Sequence, residues 1–260
     1  MNNLSYLKKT CKQIKLKAFE MLVNKGGGHF GGSFSCAEIL TSLFFNILKK
    51  KDRFIMSKAH ASVILYSIFF EKKLISKKML KSYGQENSLL GVHGEHDLLD
   101  LIEFSCGSLG HGLSHSCGLA LGYKKKNINA KIYCLIGDGE MQEGSVWEAL
   151  LFAAHHKLKN LYIILDNNKK QSSGLVKDIL NLEPINKKIS SFNFNLKSCN
   201  GHDIDDIIAK LKSFKKNNKP NFLIANTVKG KGIKLLEKKN DCHYDILQRN
   251  IVEKFKKDSI

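Results

Sequence analysis

A chain of 260 residues with 43% apolar side chains is long enough to close one large domain around a substantial core. Its formal net charge of +18 invites a nucleic-acid reading, but Arg53 and Arg249 are the only arginines, and the short lysine clusters at 49–51 and 124–126 have no aromatics interleaved. Specific base or phosphate recognition leans on arginine forks and stacking platforms, so the composition argues against nucleic-acid binding.

The chain opens with Leu4, Leu7, Cys11, Ile14, Ala18 and Leu22 on one face of an amphipathic helix, which is not the apolar region of a signal peptide. A glycine turn at 26–28 precedes expected helices over 35–48 and 61–72, and a glycine-rich loop at 107–112 leads into a helix of small residues over 114–123. Residues 131–136 form an apolar run that stops at Gly137-Asp138-Gly139, and residues 161–165 form a second that stops at Asp166-Asn167-Asn168. Both read as buried parallel strands. Between them, Val146, Trp147, Leu150, Leu151, Ala153 and Ala154 make a helical stripe suited to a crossover over 143–156. Strands over 192–198 and 222–228 flank a helix over 205–214, and residues 241–260 are expected as a polar tail with one helix. No linker or repeat interrupts this order. Residues 1–260 are therefore expected to form a single α/β domain on a doubly wound, largely parallel sheet flanked by helices. No run approaches the ~20 apolar residues of a membrane span. Cysteines at 11, 36, 106, 117, 134, 199 and 242 show neither Cys-x-x-Cys nor zinc spacing, and read as reduced, mostly buried thiols in a cytoplasmic protein.

The strand ends carry the chemistry. Strand, helix and strand place Asp138 and, thirty residues later, Asn168 at the carboxyl ends of two strands of one sheet, where open α/β sheets bind ligands. Magnesium takes near-octahedral oxygen coordination at about 2.0–2.1 Å and keeps few protein ligands beside phosphates. The Asp138 carboxylate, the Asn168 amide oxygen, a backbone carbonyl just after Asn168, two diphosphate oxygens and a water would fill that shell. Gly139 lets the backbone approach a phosphate. The competing reading is a tight turn and a strand-end loop. His29, His60, His93, His111 and His243 all sit in glycine-rich or irregular segments, where imidazoles can hydrogen-bond phosphate or sugar hydroxyls and move protons near neutral pH. His155, His156 and His202 lie on helix or turn surfaces by pattern and are given structural roles.

Gly-Asp-Gly followed about thirty residues later by Asn resembles the thiamine diphosphate motif, and the chain looks most like the amino-terminal section of transketolase. The resemblance runs in family order through Gly27-Gly28-His29-Phe30-Gly31-Gly32-Ser33, Ser57-Lys58-Ala59-His60, Gly107-Ser108-Leu109-Gly110-His111-Gly112, residues 137–149, Asn200-Gly201-His202-Asp203 and Thr227-Val228-Lys229-Gly230. It implies that Asp138, Asn168 and the Lys170 carbonyl hold Mg2+, with Ca2+ or Mn2+ as substitutes. By the same resemblance, His60 contacts the diphosphate, Lys229 adds positive charge beside it, and Gly107 and Leu109 lie against the cofactor rings. His29 then faces the reacting carbonyl and His93, with His96 as a competing candidate, holds a donor hydroxyl. His243 lies near diphosphate and substrate, and Glu143 belongs to a buried proton-sharing chain between active sites.

Thiamine diphosphate supplies a carbanion at C2 that splits a ketose and passes two carbons to an aldose. In the family a glutamate on a separate pyrimidine domain activates that carbon, and nothing in the chain matches it. The resemblance therefore implies half of a split transketolase, completed by a carboxy-terminal subunit that supplies the pyrimidine domain and its glutamate, with two copies of each chain and sugar phosphates as substrates. Two other readings stay open: another thiamine diphosphate enzyme, of the deoxyxylulose phosphate synthase or 2-oxoacid dehydrogenase type, and a noncatalytic remnant that keeps cofactor binding.

Overall fold

The structure, a computed structural model, describes residues 3–259. Five strands form one sheet in the order β1-β2-β3-β5-β4, and every neighbouring pair is parallel. They are β1 (Arg53–Met56), β2 (Ile132–Gly137), β3 (Leu161–Asn167), β4 (Asn195–Asn200) and β5 (Asn221–Asn226). The sequence did not announce β1 as a strand, because it is four residues long, lies at the sheet's edge and begins on a half-buried arginine. β4 starts three residues later than expected, after Asn193 turns the chain with φ +66°.

The central strands are apolar on both faces because both are covered. Tyr133, Leu135, Tyr162, Ile164, Leu223 and Ala225 join one core, with α1 (Leu4–Asn24), α2 (Phe30–Ser35), α3 (Ala37–Ser42) and α4 (Ser62–Glu71). Their alternates Ile132, Cys134, Ile136, Ile163, Leu165 and Ile224 join the other. After α5 (Lys77–Lys81) come α6 (His111–Lys125) and α7 (Gly144–His155), which cover this second face with α8 (Val176–Ile179) and α9 (Ile185–Ser191). On the first face α10 (Ile204–Lys212) follows β4, and α11 (Lys234–Lys238) and α12 (Arg249–Ser259) follow β5.

Some expected elements change in detail. The helix expected over 35–48 follows an earlier one, α2, breaks from it at Cys36 (φ −104°, ψ 7°), begins as α3 at Ala37 and continues as a π turn over Leu43–Ile47. On α7 the buried residues are Val146, Ala149, Leu150 and Ala153, a true i, i+3, i+4, i+7 face, whereas Leu151 lies on the flank and is 61% exposed. The segment 241–260, expected as a polar tail, carries its one helix as α12, but Leu247, Ile251, Val252 and Phe255 pack on the first core. Phe255 stacks on Phe19 with ring centroids 4.1 Å apart. Charged and apolar residues are interspersed in this segment, and the apolar stripe between the charges is what docks it. Among the described residues all seven cysteines are free and buried, and no helix is long and apolar enough to cross a membrane.

Candidate active site

The carboxyl ends of β2 and β3 are level, with Gly137 opposite Asp166, so the residues that follow emerge side by side. A cavity of about 310 Å3 opens above them. β2 delivers Asp138 and Gly139, β3 delivers Asn168 and Lys170, the β1–α4 loop delivers His60, and the chain beyond β5 delivers Lys229. His29 enters from the α1–α2 turn, His93, Gly107 and Leu109 from the long segment before α6, and His243 from the stretch between α11 and α12. Glu143 completes the lining, at the start of α7. Apart from His96 and His111, the structure thus gathers the residues singled out from the sequence for chemistry around one space.

It also sorts the alternatives. His93 lines the cavity, while His96 is exposed and turns its Nδ1 to the Ile102 carbonyl at 2.5 Å. His111 starts α6 with its side chain exposed, so its glycine-rich context did not signal a place in the site. Glu143 is exposed in this chain by itself; the resemblance places it in a proton-sharing chain between active sites, which one copy alone does not form. His155 is exposed at the end of α7 and His156, its C-cap, is half-buried, but His202 is anchored at both ring nitrogens.

The Asp138 carboxylate is almost fully buried and accepts hydrogen bonds from the Gly139 N–H at 2.9 Å and from the Lys169 N–H. Burial, then the charge of Asp166, pushes its pKa up to about 7, against the pull of those amides and of Lys58. The Asn168 amide oxygen accepts the Lys170 N–H at 3.1 Å, and the Lys170 carbonyl accepts Lys229 Nζ at 3.2 Å. The same ammonium donates to the Gln171 carbonyl at 2.8 Å. One carboxylate, one amide oxygen and one carbonyl are a hard-oxygen donor set, and each retains acceptor capacity. A cation there would offset two buried carboxylates that repel each other. Gly139 packs so closely on the 170–172 turn that a Cβ would lie 2.9 Å from Gln171 Cβ. The residues present therefore fit a magnesium ion bound with a diphosphate.

The imidazoles cluster together in the cavity lining. The His29 ring lies 4.9 Å from His243, 5.7 Å from His60 and 6.0 Å from His93, centroid to centroid. The Nδ1 atoms of His29 and His243 are buried with no hydrogen-bond partner among the described residues. Burial, with repulsion from His93, Lys25 and Lys229, lowers His29 to about 4; burial, with repulsion from Lys229, His29 and Lys58, lowers His243 to about 4. Burial and the Lys58 charge hold His60 well below the usual histidine value. At neutral pH these three rings are uncharged and able to donate or accept. His243 reaches the wall because Cys242 packs on α2: a Cβ on Gly31 would lie 2.1 Å from the Cys242 carbonyl oxygen. Ala59, just before His60, begins a 3-10 turn without a positive φ, so its methyl is accommodated there.

Residues 7–259 match the family model described as transketolase, thiamine diphosphate binding domain. The chain belongs to the transketolase family. It is 40% identical to one subunit of the apulose-4-phosphate transketolase of Actinobacillus succinogenes, over 96% of this chain and 95% of that protein. It is 32% identical to human transketolase over 96% of this chain, but over only 41% of the human protein. The solved transketolase of Campylobacter jejuni superposes with a TM-score of 0.93 at 32% identity, covering all of this chain and 43% of that one. The chain thus spans about two fifths of these full-length transketolases.

Within this transketolase-family site, sequence reasoning missed the charged floor. Lys58 and Asp166 are buried side chains forming an ion pair. Asp166 also accepts Ser35 Oγ at 2.6 Å and the Thr227 hydroxyl, and Lys58 donates to the Gly32 carbonyl at 2.8 Å. Burial alone would raise Asp166 and lower Lys58, but each partner overrides it: Asp166 is held below the carboxylate range and Lys58 rises to about 12. Glu140 is likewise buried, held by the Ser57 hydroxyl, the Gly110 N–H at 2.8 Å and the Gly137 N–H at 3.1 Å. The available signal was an aspartate closing an apolar strand and a glutamate directly after the Gly-Asp-Gly turn.

Proposed function

We propose that this chain is the diphosphate-binding half of a two-chain transketolase, which transfers a two-carbon ketol unit from a ketose phosphate to an aldose phosphate. The observation that carries the reading is the single cavity lined by Asp138, Asn168 and Lys170 together with His29, His60, His93 and His243. Asp138, Asn168 and the Lys170 carbonyl hold Mg2+, for which Ca2+ or Mn2+ can substitute. His60, Lys229 and the Gly139 backbone face the diphosphate. Bound thiamine diphosphate supplies the nucleophilic and electron-accepting carbon that sugar cleavage requires. His29, His93 and His243 bind substrate hydroxyls and hold or move protons at their ring nitrogens, an arrangement that serves polyols and has less use for 2-oxoacids. Gly107 and Leu109 pack against the cofactor, and Glu143, exposed here, meets a neighbouring chain of the assembly.

The partner is a carboxy-terminal chain that carries the pyrimidine domain and its activating glutamate, with two copies of each chain in the assembly. The Actinobacillus relative is named as one subunit of its enzyme, which supports a divided enzyme here. Residues 1–260 act as one diphosphate-binding domain, and seven free thiols suit the reducing cytoplasm.

Calorimetric titration of the chain with thiamine diphosphate tests the cofactor reading. Binding should require a divalent cation and disappear with a chelator. Metal-independent binding, or none, would overturn it.

A further inference from the structure

The Asn200-Gly201-His202-Asp203 stretch does not line the cavity, yet His202 joins α3 to the chain beyond β5. Its Nδ1 lies 3.2 Å from Glu38 Oε2, and its Nε2 accepts the Val228 N–H at 2.8 Å. Only the neutral ring with its proton on Nδ1 serves both contacts, donating to the carboxylate and accepting from the amide. The second oxygen of Glu38 pairs with Lys15 Nζ at 2.5 Å, and Lys15 Nζ also donates to the Lys231 carbonyl at 3.4 Å. These three side chains are only 12–14% exposed. Two arms thus leave one carboxylate and reach the backbone just before and just after Lys229, whose ammonium grips the Lys170 and Gln171 carbonyls. The Gly230 N–H donates to the Gly31 carbonyl at 2.9 Å and closes the third side of the loop.

We propose that Glu38 is a positioning residue for Lys229: through His202 and Lys15, one buried carboxylate fixes the 228–231 backbone so that the lysine spans the cavity wall to the turn at Lys170. The inference rests on the reading of Lys229 as a cofactor-facing cation. A purely structural Glu38 would staple α3 to α1 and leave the loop's behaviour and the lysine's contribution unchanged.

The full chain, without cofactor, is prepared as wild type, Glu38→Gln, Lys229→Met and the double variant, with His202→Gln in reserve should Glu38→Gln fail to fold. Amide exchange at Val228 should quicken about tenfold in Glu38→Gln, as expected for one weakened hydrogen bond, with exchange in the β2 and β3 amides unchanged. Titration with Mg2+ and thiamine diphosphate should then show affinity about tenfold weaker in Glu38→Gln, and no further loss when Glu38→Gln is added to Lys229→Met. Unchanged Val228 exchange, or equal losses of affinity with and without Lys229, would overturn the proposal. Should the wild type bind no cofactor, the functional reading falls, and Val228 exchange alone decides the positioning claim.

Discussion

Lys58 and Asp166 form an ion pair at the cavity floor, with both side chains at most 1% exposed. The pair joins the loop that carries His60 to the end of β3 that precedes Asn168, so it ties the imidazole cluster to the strand end that carries Asn168. Burying two charges is costly, and removing one partner costs more than removing both. Lys58→Met should lower unfolding free energy by roughly 3–5 kcal/mol, whereas Lys58→Met with Asp166→Leu should recover a large part of that loss. Urea denaturation of the three proteins checks the order.

Asp138 is buried against the charge of Asp166 and gains little for the fold from its own ionisation. Asp138→Asn should therefore leave the unfolding midpoint near that of the wild type while weakening magnesium-dependent cofactor binding by about 100-fold or more, because the one carboxylate of the donor set is lost. Parallel melting and calorimetry separate the two effects.

The imidazole wall sets an acid limit on stability. His29 and His243 are lowered to about 4 and His60 well below its ordinary value, so between about pH 6.5 and pH 4 the unfolded chain binds more protons than the folded one. Asp138, raised to about 7, holds a proton in the folded chain over much of the same range and offsets one of these groups, but three imidazoles outnumber it, so stability without cofactor should be level above about pH 8 and fall as the pH drops from about 6 toward 4. His29→Gln with His243→Gln should shallow that fall. Melting temperatures across the range give the slopes directly.

Gly31 sets the position of His243. A Cβ at Gly31 would lie 2.1 Å from the Cys242 carbonyl oxygen, which belongs to backbone and has no rotamer to escape through. Gly31→Ala should destabilise the chain by about 1–3 kcal/mol and raise the KM for sugar in the assembled enzyme, as the 242–244 stretch is pushed away. Crystallography of the variant would show the displacement.

Much of this was legible in the sequence for a physical reason. Apolar runs that end abruptly at Gly137-Asp138-Gly139 and Asp166-Asn167-Asn168 leave little freedom about which end of the sheet carries polar groups, and the helix between them fixes the strands as parallel neighbours. Glycine-rich loops likewise marked His29 and Gly107. The same rule misplaced His111, because a loop shows where backbone can approach a ligand and not which way the next helix turns its first residue. The Lys58–Asp166 pair, the Glu140 bonds and the Glu38–His202 bridge were not legible. The ion pair and the bridge join residues more than a hundred positions apart in the chain, and a charged residue inside a polar motif looks the same whether solvated or sealed. The docked apolar stripe of α12 was hidden by the lysines around it.

Ketol transfer measured across a titration of this chain with the chain that carries the pyrimidine domain tests the central claim most directly. With Mg2+ and thiamine diphosphate present, the first chain alone should bind cofactor without turnover, and activity should rise to a plateau at one partner per chain. Robust turnover by the isolated chain, or a cofactor-loaded complex that leaves sugar phosphates unchanged, would contradict it.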